Sequence, residues 1–195
     1  MSTPAKKPAT YADIEALPPH VVGQILFGTL HTHPRPVTRH VTTAHRLALK
    51  LGPPFEFGEN GPGGWIFLPE EELHLGPHVV VPDISGWRAE RLPADYGESA
   101  FLTVPPDWIC EVLSPSTEDI DKTDKSRIYA TYGVDYLWYI DPRPRHHEVF
   151  VRQNRDWLLK HTFAEHEDVC APPFPELSFP LGLLWPFARP IDKTT

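Results

Sequence analysis

The sequence predicts an α/β domain, a mixed β-sheet core flanked by helices and ending in a C-terminal β-hairpin. Three observations carry that expectation. From Thr38 to Leu51, Val41, Ala44, Ala48 and Leu51 recur at helical spacing. Val79 to Trp87 and Trp108 to Leu113 are nearly continuous apolar runs of strand length, the pattern of strands covered on both faces. Helical and strand-like segments alternate along the chain, which points to an α/β or α+β sheet with helices packed on it. At 195 residues the chain supports one good core rather than two, so residues 10–188 are expected to form a single domain between tails at 1–9 and 189–195.

The 24 prolines fall mainly between the periodic segments and mark their ends. Thr10 is placed to cap a short helix that the Pro18-Pro19 pair stops. Val21 to Ile25 and Thr29 to His33 read as two strands joined around Phe27-Gly28. Thr38 is the expected N-cap of the next helix, and Gly52 before Pro53-Pro54 its stop. Beyond a glycine-rich loop, Trp65 to Leu68 and Val79 to Trp87 read as strands, with a polar stretch from Arg88 to Ser99 before the strand Trp108 to Leu113. A helix from about Asp121 to Tyr132 ends at Gly133, an aromatic strand runs from Tyr136 to Ile140, and Glu148 to Arg152 with Trp157 to Thr162 make a hairpin about Asn154.

Composition narrows the classes of function. A net charge of -8 argues against indiscriminate attraction to nucleic acid, and the one positively biased segment, Arg35, Arg39, His40, His45, Arg46 and Lys50, reads first as a solvated helix face. No stretch approaches the roughly 20 apolar residues of a membrane span, and the N-terminus lacks the apolar core of a signal peptide, so a cytoplasmic protein with no membrane partner is expected. Cys110 and Cys170 form no CxxC pair and sit among apolar neighbours, which predicts buried free thiols. His31, His33, His146 and His147 have no ligand spacing suited to zinc and are expected to be structural or exposed.

Two carboxylates stand where their apolar neighbours say none should. Asp83 shares a strand face with Val79 and Val81, and Glu111 with Ile109 and Leu113. An ionised carboxylate in such a setting costs several kcal/mol unless it meets a cation or a full set of donors. Two such strands side by side make a divalent metal the natural partner of both groups. Pro82 cannot donate to a ladder, so Asp83 is expected at an opening in the sheet.

Asp83 after a proline, followed by Glu111 on a later strand, resembles the PD-(D/E)XK signature of restriction-endonuclease-like folds. The run Glu111 to Thr117 (Glu-Val-Leu-Ser-Pro-Ser-Thr), then Lys125, Tyr129, Gly133-Val134, Tyr136, Trp138 and Asp141-Pro142, resembles the Uma-two family of candidate restriction endonucleases. Gly28, Leu30 and His40 fit that family's early hairpin and the histidine that opens its next helix, and the similarity spans about residues 11–185. The resemblance implies a restriction-endonuclease-like core and hydrolysis of phosphodiester bonds in DNA. It implies Mg²⁺, with Mn²⁺ as a substitute, held by Asp83, Glu111 and the main-chain oxygen of Val112. Lys125 would orient the attacking water and offset charge on the phosphate, with Tyr129 one turn away on the same helix face and His40 as a phosphate contact.

Two departures bear on that reading. The general signature places a lysine two residues after the second carboxylate, where this chain has Leu113, and the family supplies its lysine from the following helix, matching Lys125 rather than Lys122. Many members carry a glutamate where this chain has Gln24, which leaves the site one negative charge short. Two other classes therefore stay open: a catalytically weakened nuclease-fold module that binds nucleic acid or a protein partner, and a metal-dependent hydrolase of small phosphoesters. A homodimer is the candidate assembly.

Overall fold

The computed structural model describes residues 7–34 and 36–185. The expected tail at 189–195 lies outside the described residues, as do Met1 to Lys6 and Arg35. Among the described residues no helix is long and apolar enough to cross a membrane.

The chain opens with α1 (Tyr11–Glu15), where the Asp13 carboxylate accepts the backbone N–H of Thr10 at 2.7 Å, the reciprocal bond of a capping box, and also the Thr10 hydroxyl at 2.9 Å. β1 (Val21–Leu26) and β2 (Thr29–Pro34) form a tight hairpin whose turn residues Phe27 and Gly28 both have positive φ, 49° and 76°. α2 (Thr38–Leu51) follows. Val37 rather than Thr38 precedes its first turn, and among the described residues no side chain caps it. Gly52 does not stop it either: it adopts right-handed helical angles, and a π-helical turn runs on through Gly52–Glu56. Pro53 and Pro54 sit in the first turn of this new segment, where a missing N–H costs least, which is why they extend the helix instead of ending it.

The expected strand Val79 to Trp87 is two strands in two sheets, β5 (His78–Val80) and β6 (Ile84–Arg88). A four-stranded sheet has the order β2-β1-β5-β4, with β4 at Leu73–Leu75. The larger sheet adds β3 (Trp65–Pro69), β7 (Trp108–Val112), β8 (Tyr136–Asp141), β9 (His146–Gln153) and β10 (Asp156–Ala164), in the order β10-β9-β8-β7-β6-β3. The break falls at Val81-Pro82-Asp83. Pro82 has no N–H, and the N–H groups of Val81 and Asp83 go to the side chains of Gln24 and Glu111 instead of to a neighbouring strand.

β7 and β8 pair in parallel, unlike every other neighbouring strand pair among the described residues, and a helix must cross between them. It begins earlier than Asp121, at α3 (Glu118–Ile120), widens into a π-helical turn over Asp121–Lys125, and continues as α4 (Ser126–Tyr132). Gly133, at φ 89°, ends it in the left-handed conformation. Every residue of β7 is buried, so the sheet is covered on both faces as its apolar runs predict. One face packs Trp108, Cys110, Trp138 and Ile140 against α2 and the C-terminal segments. The other packs Ile109, Leu113, Leu137 and Tyr139 against α4 and the smaller sheet. The C-terminal hairpin expected at 148–162 is β9–β10, and a second hairpin, β11 (Asp168–Ala171) with β12 (Phe174–Pro180), follows it. Strand alternation in β11 turns Val169 and Ala171 inward and Cys170 outward, so Cys110 is buried as expected but Cys170 is exposed.

Candidate active site

The antiparallel register of β6 and β7 sets Ile84 opposite Cys110, which brings Asp83, just before β6, level with Glu111 on β7. Three contacts fix the pair. The N–H of Asp83 donates to Glu111 Oε2 at 3.3 Å, and the N–H of Val112 donates to Asp83 Oδ2 at 2.6 Å. His40 Nε2, near the start of α2, lies 2.7 Å from Asp83 Oδ1, and since a carboxylate only accepts, this ring nitrogen carries the proton. Burial alone would lower the pKa of His40, but its bond to Asp83 and the charge there outweigh burial and raise it.

Behind the pair lies a buried ionic cluster. Lys125 Nζ stands 2.6 Å from Glu111 Oε1 and 3.0 Å from Asp121 Oδ1, and it donates to the carbonyl of Val81 at 3.3 Å. The hydroxyl of Tyr129 donates to the same Glu111 oxygen at 2.6 Å, so Lys125 and Tyr129, one turn apart, grip one carboxylate oxygen from a single helix face. Burial, reinforced by Asp121 and Asp83 and opposed by Lys125, pushes Glu111 up to about 8. Burial also disfavours the ammonium of Lys125, but the surrounding carboxylates of Asp121, Glu111 and Asp83 outweigh it and raise its pKa, so the lysine is held charged. Lys122 points elsewhere, to Glu118 and Glu148 at 3.6 and 3.4 Å. The π-helical turn fits this arrangement: the carbonyl of Asp121 accepts both the N–H of Ser126 and, at 2.8 Å, the hydroxyl of Tyr139, and Asp121 itself is buried beside Lys125.

These groups open into a cavity of about 380 Å³ whose walls include Asp83, Glu111, Lys125, Asp121, His40, Gln24 and the Ser114 to Thr117 loop. Gln24 belongs to the wall and not to solvent, at 2% exposure. Its Oε1 accepts the N–H of Val81 at 2.9 Å, and its amide donates to His33 Nε2 at 3.3 Å.

A family model described as "Putative restriction endonuclease" (Uma2) matches residues 10–182. The chain belongs to that family. A search of solved structures finds similarity to the crystal structure of "a putative nuclease belonging to DUF820" from Anabaena variabilis, at 22% identity and a TM-score of 0.73 over 91% of this chain and 98% of that one. A search of curated protein sequences finds no match. The Uma2 chain therefore shares its α/β fold, mixed sheets flanked by helices, with a solved protein of 22% identity.

The site of this Uma2 chain contains residues that the sequence reading left aside. Asp121 was legible as a carboxylate four positions before Lys125, the spacing of an ion pair on one helix face. His33, expected to be structural or exposed, lines the cavity beside Gln24, because the hairpin pairing turns it towards that strand's inward face. Glu70 and Glu72 also line the cavity, and no local pattern announced them. Two members of the basic segment are engaged inside the fold: His40 is buried on Asp83, and Arg46 donates to the carbonyls of Leu183 and Trp185 at 3.2 and 2.7 Å.

No group of three or more His, Cys, Asp or Glu side chains among the described residues has the arrangement of a metal site. The donor chemistry nonetheless fits a hard cation. Two carboxylates converge, and the N–H of Val112 meets Asp83, so the carbonyl of Val112, which leaves a strand on the same side as its N–H, is directed to that edge as well. Burial first, and then the charges of Asp121 and Asp83 against that of Lys125, raise the pKa of Glu111, and a cation at the pair would favour its ionised form.

Proposed function

We propose that this Uma2 protein is a divalent-metal-dependent endonuclease that hydrolyses phosphodiester bonds in DNA. Family membership supports the nuclease reading, and one observation carries the assignment of residues: Glu111 receives Lys125 and Tyr129 on one oxygen while its other oxygen meets the backbone of Asp83. Asp83, Glu111 and the main-chain oxygen of Val112 would hold Mg²⁺ or Mn²⁺. When bound, the ion would supply a water of lowered pKa and stabilise charge on the phosphate.

The remaining steps belong to the chain. Lys125, kept charged by Asp121 and Glu111, orients the attacking water and offsets charge growing on the phosphate oxygens. Tyr129 fixes the rotamer of Glu111, so the carboxylate presents its second oxygen towards Asp83 without reorganisation. His40 holds Asp83 in place and faces the same cavity, within reach of a phosphate. Incubating plasmid and single-stranded DNA with the protein in Mg²⁺, Mn²⁺ or chelator tests the proposal. Metal-dependent cuts that vanish in Asp83→Ala are expected, and cuts that persist in that variant would reject the assignment.

One observation favours a second reading, a weakened module that binds nucleic acid or a protein partner without cutting it. Gln24 brings a neutral amide to the cavity wall, where the resemblance implies a carboxylate, and that amide is already committed to Val81 and His33. Metal-dependent binding with no cleavage of either DNA form would select that reading.

A further inference from the structure

The cavity at the carboxylate pair is one end of a longer groove. A second recess of about 430 Å³ is walled by Val41, Ala44 and Ala48 of α2 and by Pro69 and Ile84 where β3 meets β6. Pro36, His40, Glu70 and Asp83 line both recesses, so the two meet at the His40 and Asp83 pair. Val41, Ala44 and Ala48 recur three and four residues apart, which turns an apolar stripe of the helix to the groove, and Val41 is 49% exposed. Each recess has the size of a small-ligand pocket, roughly 300 to 1,000 Å³.

Charge decides what fits there. Among the described residues, Lys125 is the only lysine or arginine lining either recess, and it is 3% exposed and engaged by Glu111 and Asp121. Glu70 and Glu72 stand in the walls instead. A duplex is held mainly through its two phosphate backbones by lysine and arginine, and where those contacts belong this groove offers carboxylates, apolar surface and His33, His40 and His45, the middle one already bonded to Asp83. An apolar slot adjoining a phosphate-processing carboxylate pair suits the other part of a nucleotide, the flat face of the base one sugar away. In a duplex that base is stacked and paired, whereas in a single strand it is free to turn into a pocket.

We infer that the groove beside α2 is a base-binding subsite and that the site takes single-stranded nucleic acid, burying the base next to the scissile phosphate between Val41, Ala44 and Ala48 on one side and Pro69 and Ile84 on the other. The phosphate end of this inference rests on the nuclease reading; the base end rests on the groove. Contact there is through apolar surface, so the subsite tolerates any base and depends little on salt.

The test uses the full chain with a short single strand carrying one 2-aminopurine, and the same strand annealed to its complement, in Ca²⁺ so that binding is read without cleavage. Ala44→Leu fills the slot and Val41→Asn makes its wall polar, and neither alters charge. The single strand is expected to bind at least tenfold more tightly than the duplex, with a changed 2-aminopurine signal and a shallow salt dependence, and each variant should weaken it about tenfold. Calorimetric Ca²⁺ affinity should stay the same in both variants, which shows the carboxylates and the fold intact, and either variant suffices if the other fails to fold. Duplex binding as tight as single-strand binding, or variants that bind the strand like wild type, would overturn the subsite and leave the nuclease reading standing. Single-strand binding that both variants weaken, in a protein that cuts no DNA in Mg²⁺ or Mn²⁺, would keep the subsite and remove the nuclease reading. No binding of either probe overturns the inference.

Discussion

Asp121 and Lys125 face each other across one widened helical turn, carboxylate oxygen to ammonium at 3.0 Å, and both are buried. The pair gives Lys125 a part in stability as well as in the candidate chemistry. Removing an ammonium from between two buried carboxylates leaves them uncompensated, a loss of about 3 to 5 kcal/mol for a broken buried pair.

Lys125→Ala is therefore expected to lower stability by that amount in chemical denaturation, while Lys122→Ala, whose partners are half-exposed, changes it by no more than about 1 kcal/mol. Asp121→Asn keeps the shape and removes one carboxylate from Nζ. Measured on folded protein, Lys125→Ala and Asp121→Asn should lower turnover far more than metal affinity. Equal losses from Lys122→Ala and Lys125→Ala would overturn the role given to Lys125.

His147 offers a pH dependence free of the site. It is fully buried beside Trp138 and Phe163, neither ring nitrogen has a partner among the described residues, and burial, with His146 and His161, depresses its pKa from 6.5 to about 3. The unfolded chain therefore binds a proton that the folded chain refuses. The stability this group permits is fully present above pH 6.5 and is lost as pH falls towards 3, by up to about 1.4 kcal/mol per unit. Denaturation midpoints of wild type and His147→Phe between pH 7 and 4.5 should diverge, the variant falling less steeply; parallel curves would contradict the depressed pKa.

Gln24→Glu tests whether the wall position is a weakened ligand. A carboxylate there keeps its acceptor for the N–H of Val81 and adds a negative charge to the cavity that Asp83 and Glu111 line. Mg²⁺ or Mn²⁺ affinity, read by calorimetry, should rise by about 1 to 2 kcal/mol, and cleavage at limiting metal should rise with it. Unchanged affinity in a folded variant would remove residue 24 from the site.

How much of this was legible beforehand depends on how local each signal is. Asp83 and Glu111 stood out because a charge in an apolar strand is anomalous within six residues of sequence, and Pro82 put Asp83 at an opening, although one strand was expected where the chain passes between two sheets. Helix α2 was read from its period, but its continuation through Gly52-Pro53-Pro54 was not, since the same residues end most helices and extend this one by opening a new turn. β4 was missed because three residues, Leu73-His74-Leu75, carry no period. The prolines at 172, 173, 175 and 180 hid the last hairpin. Glu70 reaches the cavity where β3 meets β6, a pairing between distant segments that single-sequence periodicity does not encode, whereas His33 follows from the local β1–β2 hairpin.

The break between β5 and β6 also gives the molecule an internal reporter. The amides of Val81 and Asp83 are protected by side chains, Gln24 and Glu111, and not by a strand ladder. Their exchange with solvent deuterium therefore measures how often the site opens, one amide for each wall of the cavity. It does so without substrate, metal or turnover, and a variant that loosens only one wall will show which one.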